Sequence, residues 1–190
     1  MLPPLALVLG GAASGKSAYA ETLVRGASGS RVYLATAEAY DDEMRAKISR
    51  HQDMRAADGW TTIEAPLDAT SALSAAAPDQ VVLLDCATLW LSNHMLAGDD
   101  LAVATAALMK ALAACAAPVV IVSNEVGLSV VPDNALARRF QQAQGTLNQR
   151  LAAEAGLVVL VTAGLPLALK GTLSSAAGST LSSASRGTLT

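Results

Sequence analysis

The chain has 190 residues, 52% of them hydrophobic but only 3% aromatic, and carries a formal charge of −3 at neutral pH. That length suits one α/β domain able to bury a core without disulfide or metal staples. The slightly acidic balance, with no basic run, argues against a nucleic-acid surface.

Met1-Leu2-Pro3-Pro4 has no charged n-region, so no signal peptide is expected. A strand over Leu5–Leu9 runs directly into Gly10, Gly11, Ala12, Ala13, Ser14, Gly15, Lys16 and Ser17, a full match to G-x-x-x-x-G-K-[ST]. Strand, glycine-rich loop and helix start, in that order, are what a phosphate cradle requires. The glycines let backbone N–H groups turn inward on an anion. Lys16 brings a cation to the β/γ-phosphates, Ser17 offers a hydroxyl to Mg²⁺, and the following helix adds the positive end of its dipole. A nucleoside triphosphate is the expected ligand.

That helix should span Lys16–Arg25 and stop at Gly26, followed by a strand over Arg31–Ala35. Asp41–Arg55 reads as a helix with acids first and bases last. Trp60–Glu64 fits a short edge strand, and Asp68–Ala77 a helix. Val81–Asp85 is a buried strand ending in a carboxylate. Leu101–Val122, the longest apolar stretch, is interrupted by Lys110 and Pro118, which predicts a helix over Leu101–Ala116 and a strand over Val119–Ser123 rather than a membrane span. In Asp133–Ala155, Leu136, Phe140, Ala143, Leu147 and Leu151 share one helical face, Asp133 stands where an N-cap belongs, and Gly145 costs about 1 kcal/mol relative to Ala. A last strand is expected over Leu157–Thr162. The alternation predicts a mostly parallel, doubly wound sheet with ligands at the strands' carboxyl ends. Residues 171–190 repeat Thr-Leu-Ser-Ser-Ala at 172 and 180. The domain is therefore expected to occupy 1–170 and to be followed by a mobile tail. Cys86 and Cys115, without C-x-x-C spacing, fit free thiols in a cytoplasmic protein.

The carboxylate of Asp85 has the form of a Walker-B acid, able to hold Mg²⁺ or its waters. No lysine stands in the Asn/Thr-Lys-x-Asp context of a Ras-type switch GTPase. In the 41–55 helix, Lys47, His51 and Arg55 fall at i, i+4 and i+8, with Arg50 adjacent. Such cations lower an imidazole's pKa and keep it neutral and nucleophilic. Spacing alone favours a solvated surface histidine on a charged helix. His94, in an apolar run beside Trp90, reads as structural.

Together these residues resemble the bifunctional adenosylcobinamide kinase/adenosylcobinamide-phosphate guanylyltransferase family of cobalamin biosynthesis. The resemblance runs from Leu5 to about Lys170. It rests on the phosphate loop, Tyr33-Leu34-Ala35-Thr36-Ala37, Asp41-Asp42-Glu43-Met44 with Arg50-His51 following, and Trp60-x-x-x-Glu64. Further on it includes the 81–85 strand, Asn124-Glu125-Val126-Gly127 with Val131-Pro132, and Leu136-Ala137-Arg138 with Asn148-Gln149-Arg150-Leu151. It implies a RecA-like P-loop NTPase domain that assembles as a small homo-oligomer, often a trimer. The implied enzyme phosphorylates adenosylcobinamide with ATP or GTP, then moves GMP from GTP onto the new phosphate through a guanylyl-histidine, releasing pyrophosphate. By position His51 matches that histidine. The loop residues 10–17, Thr36, Ala37, Glu38, Gln52, Asp53, Met54, Arg55, Glu64 and Asp85 match GTP-contacting positions, with Mg²⁺ at Ser17 and Asp85. Ala13 replaces the usual Arg, Asp85 a frequent Glu, and Arg50 the second His of some members. The alternative is a P-loop small-molecule kinase without a covalent intermediate.

Overall fold

The computed structural model describes residues 1–38 and 57–173. Its strands are β1 (Leu5–Gly10), β2 (Ser30–Ala35), β3 (Trp60–Glu64), β4 (Gln80–Asp85), β5 (Val119–Asn124), β6 (Leu157–Thr162) and β7 (Leu165–Lys170). The described helices are α1 (Lys16–Arg25), α2 (Ala69–Ser74), α3 (Ala87–Ala97), α4 (Leu101–Ala114) and α5 (Ala135–Glu154). The predicted 41–55 helix lies outside the described residues.

The strands form one sheet in the order β3-β2-β4-β5-β1-β6-β7, parallel throughout except for the β6–β7 hairpin. Central strands are buried on both faces, which is why they read as unbroken apolar runs. Alternate residues serve two separate cores. Leu5, Leu7 and Leu9 of β1 join Ile121 of β5 and Leu84 of β4 against Trp90, Leu91, Leu108, Leu147 and Leu151 from α3, α4 and α5. Ala6 and Val8 join Val120, Val122 and Leu83 against Tyr19, Ala20 and Val24 of α1. Helices thus cover both faces, as the doubly wound expectation required.

Corrections to the predicted elements are local. The N-cap of α5 is Asn134 rather than Asp133: its side chain accepts from Ala137 N at 2.7 Å, while Arg138 Nη1 donates to the Asp133 carbonyl at 2.7 Å. Asp68 caps α2 at 3.0 Å, but that helix ends at Ser74, three residues short of the predicted end. Helix α3 was not expected. It starts one residue after β4, and its buried Ala87, Thr88, Trp90, Leu91 and Asn93 form no narrow apolar stripe. Strand β7 was also unexpected, because Pro166 interrupts it; proline is tolerated there because β7 is an edge strand. Ala163 and Gly164 join β6 to β7 with φ of 52° and 77°, a two-residue type I′ connection. Leu173, beyond the expected domain boundary, packs partly buried against the α1-side core, and 174–190 lie outside the described residues. No described helix is long and apolar enough to cross a membrane.

Candidate nucleotide site

The phosphate loop leaves β1 at Gly10 and enters α1 at Lys16. Gly10 has to be glycine: a Cβ there would strike Ser14 Oγ and come within 2.7 Å of the Val161 carbonyl. Gly15 is constrained twice, by φ of 90° and by Gly164 Cα 3.2 Å from its missing Cβ. The β6–β7 turn supports the loop from outside, the Gly164 N–H donating to the Ser14 carbonyl at 2.9 Å. That support was not foreseen, and the signal for it was the Ala163-Gly164 pair following an apolar strand.

Helix α1 has no side-chain cap and no acid in its first turn, so its leading N–H groups remain available to an anion. Lys16 Nζ donates to the Gly11 carbonyl at 3.0 Å, which folds the ammonium back over the loop. Ser17 follows in the first turn of the helix. Ala13, with φ of 55°, occupies the left-handed region that the bend demands.

Asp85 ends β4 and accepts from Tyr33 Oη at 2.9 Å. It does not adjoin the loop's own strand, since β5 intervenes between β4 and β1. The next residue, Cys86, registers both charges. Burial pushes its thiol pKa up, the Leu89 N–H lowers it, Asp85 raises it again, and Thr88 and Lys16 pull it down. Lys16 and Asp85 therefore both act on the Cys86 thiol, with opposite sign. Both cysteines are free.

Thr36 is fully buried. Its hydroxyl donates to the Cys86 carbonyl at 2.8 Å and accepts the Cys86 N–H at 2.7 Å, tying β2 to the end of β4. Ala37 and Glu38 follow at the carboxyl edge, half-buried. Glu64 ends β3, four strand spacings from β1, or about 19 Å. A nucleotide touching both the loop and Glu64 must therefore lie along the carboxyl edge of the sheet. His51, Gln52, Asp53, Met54 and Arg55, with Lys47 and Arg50, lie outside the described residues. His94 is held by Asp99 at 2.7 Å and faces the Trp90 ring at 4.5 Å, in keeping with a structural role.

The donor set suits a hard cation. Ser17 and Asp85 supply oxygen ligands only, and the described residues contain no cluster of three or more His, Cys, Asp or Glu. Mg²⁺ takes few protein ligands and completes its shell with phosphates and water.

Residues 6–169 match the family described as cobinamide kinase / cobinamide phosphate guanyltransferase. The chain is 42% identical over 168 residues to the bifunctional adenosylcobalamin biosynthesis protein CobP of Pseudomonas aeruginosa, covering 87% of this chain and 96% of that one. It is 41% identical over 184 residues to the bifunctional adenosylcobalamin biosynthesis protein CobU of Salmonella typhimurium, covering 86% and 98%. Among solved structures, a prototypical ATPase from the type III secretion system of pathogenic bacteria aligns with a TM-score of 0.54 at 11% identity, over 86% of this chain and 56% of that one. That last likeness concerns the fold alone.

Proposed function

The chain belongs to the cobinamide kinase / cobinamide phosphate guanyltransferase family, and from that premise we infer how its residues divide the work. It is a bifunctional enzyme of cobalamin biosynthesis, a kinase and a guanylyltransferase. The observation that carries this reading is the family match over 6–169, joined to a phosphate loop in which Gly10 and Gly15 are sterically required and whose helix N-terminus is uncapped.

In the kinase step the loop N–H groups and Lys16 hold the triphosphate of ATP or GTP. Ser17 and Asp85 would hold Mg²⁺, which neutralises charge on the phosphates. The hydroxyl of adenosylcobinamide takes the terminal phosphoryl group. In the transferase step His51 attacks the α-phosphorus of GTP. A P–N bond forms, the α–β anhydride breaks, and pyrophosphate leaves. An oxygen of adenosylcobinamide phosphate then displaces the histidine, giving adenosylcobinamide-GDP. The cations Lys47, Arg50 and Arg55 around His51 in the sequence support a neutral, nucleophilic imidazole. Thr36–Glu38, Gln52–Arg55 and Glu64 would line the rest of the nucleotide. These nucleotide substrates favour a cytoplasmic enzyme. Assembly as a homo-oligomer, a trimer by resemblance, is supported by the exposed Leu165, Leu167 and Leu169 on edge strand β7.

The test is incubation with GTP labelled at the α-phosphate, followed by denaturation. Wild-type protein should keep a label stable in alkali and lost in acid, and His51→Ala should keep none while retaining kinase turnover. Label that survives in His51→Ala, or never forms on active enzyme, would leave a plain kinase.

A further inference from the structure

Asp85 takes its orientation from a residue outside the set that would touch the nucleotide. Tyr33 of β2 is in register with Leu83 of β4, and Ala35 with Asp85. Tyr33 and Leu83 both belong to the core on the α1 side, and pleat alternation puts Asp85 on that same face. Asp85 therefore stands two residues, about 6.6 Å, beyond the position beside Tyr33. The tyrosine side chain spans that interval, and its Oη donates to Asp85 Oδ2 at 2.9 Å.

The donor is a fixed one. Trp60 of β3 meets the Tyr33 ring edge-on, with centroids 6.1 Å and planes 80° apart, and the two residues are only 4% and 6% exposed. The backbone around Asp85 is held as well. Its carbonyl accepts the Thr36 N–H at 3.3 Å, and the Thr36 hydroxyl bonds both backbone groups of Cys86. With its main chain and Oδ2 both anchored, the half-buried carboxylate is set in one orientation. The phenol is a neutral donor, so the negative charge stays, and it engages one oxygen and leaves the other to a cation. Partners of this kind orient metal-binding carboxylates.

We propose that Tyr33 is a positioning residue for the acid of the nucleotide site: its hydroxyl, backed by Trp60, holds the Asp85 carboxylate in the orientation in which its other oxygen takes Mg²⁺. The proposal rests on the reading of Asp85 as the Mg²⁺ carboxylate and adds to it the group that aims that carboxylate.

The test measures how tightly Mn²⁺, a hard octahedral substitute for Mg²⁺, is held by the full-length protein saturated with α,β-methylene GTP. Electron paramagnetic resonance reads the free Mn²⁺, so no turnover is involved, and the analogue cannot guanylylate the enzyme. Tyr33→Phe keeps the ring against Trp60 and removes only the hydroxyl. Its Mn²⁺ Kd should rise roughly tenfold, while the analogue's Kd without metal changes less than about twofold. Asp85→Asn alone should weaken Mn²⁺ at least as much. Adding Tyr33→Phe to Asp85→Asn should cost less than about a further twofold, because no charged carboxylate is left to aim. Thermal unfolding is followed alongside. An Mn²⁺ Kd in Tyr33→Phe that is unchanged or lowered, whatever the unfolding midpoint does, would overturn the proposal and leave the hydroxyl a structural contact. Losses that multiply in the double variant would also overturn it, since Tyr33 would then act other than through Asp85. If Asp85→Asn holds Mn²⁺ as tightly as wild type, the reading of Asp85 falls and the proposal with it, a result distinct from a normal Tyr33→Phe beside a weakened Asp85→Asn.

Discussion

The two faces of the sheet's carboxyl edge treat polar side chains differently. On the α5 side, Ser123 Oγ donates to Asn148 Oδ1 at 2.6 Å and accepts from Gln144 Nε2 at 2.9 Å, and the same Gln144 nitrogen reaches Asn148 Oδ1 at 2.9 Å. These residues are buried and bonded chiefly to one another, although Gln144 Oε1 has no hydrogen-bond partner among the described residues. On the α1 side, Ser14 Oγ and Asn124 Oδ1 are buried without a partner among the described residues, and Lys16 is folded back onto its own loop. Adjacent residues of one strand, Ser123 and Asn124, therefore belong to different tasks. One face fixes the edge largely through its own network, and the other holds the phosphate loop and polar groups outside such a network. The division predicts that substitutions on the α1 side reduce activity and those on the α5 side reduce stability.

The strongest challenge to that division is Lys16→Ala. A positioned cation on a triphosphate should be worth roughly 10²–10³ in turnover, by analogy with removing one donor to developing charge. Thermal unfolding should barely move, because among the described residues the Lys16 ammonium makes one hydrogen bond, an exposed one to the Gly11 carbonyl. Kinase turnover within threefold of wild type would remove Lys16 from the site. Asp85→Asn comes next. It preserves shape and an acceptor for Tyr33 Oη but removes the charge a cation needs. Turnover at fixed Mg²⁺ should fall roughly 10–100-fold, with nucleotide affinity measured without metal little changed. A Mg²⁺ titration superimposable on wild type would return Asp85 to a structural role.

On the other face, Asn148→Ala should act through stability. It strips acceptors from Ser123 Oγ and Gln144 Nε2 and a donor from the Asn124 carbonyl, all in a residue 5% exposed. Leaving buried donors unpaired costs about 1–3 kcal/mol. Urea unfolding should show that loss. A stable Asn148→Ala protein with crippled catalysis would mean that the two faces are not separate.

How much of this could be read from the chain depended on the range of the interactions. The strands β1, β4, β5 and β6 were legible because parallel strands covered on both faces leave continuous apolar runs. The loop was legible because steric demands at Gly10 and Gly15 leave a local pattern. Helix α3 and strand β7 were not: one lacks a stripe, and the other carries Pro166 at an edge. The Asn124-Glu125-Val126-Gly127 motif was visible, but which pleat face Asn124 takes was not. That, and the separation of Asp85 from Gly10 by β5, follow from strand order, and no local spacing encodes strand order.

The smallest effect sharpens the comparison from inside α5. Gly145 lies between Gln144 and Asn148, the helical residues that hold Ser123, yet nothing lies within 4 Å of where its Cβ would stand. Its glycine is therefore required neither by a close approach nor by a positive φ. Gly145→Ala should stabilise the helix by roughly 0.5–1 kcal/mol through backbone entropy. For a domain of this size that raises the unfolding midpoint by about 2–4 °C at most. If the α5 side serves only to hold the edge, firming it should leave kinase and guanylyltransferase turnover unchanged. A rise in stability accompanied by a loss of turnover would show that catalysis needs motion in α5, and the faces would then be coupled through the end of β5.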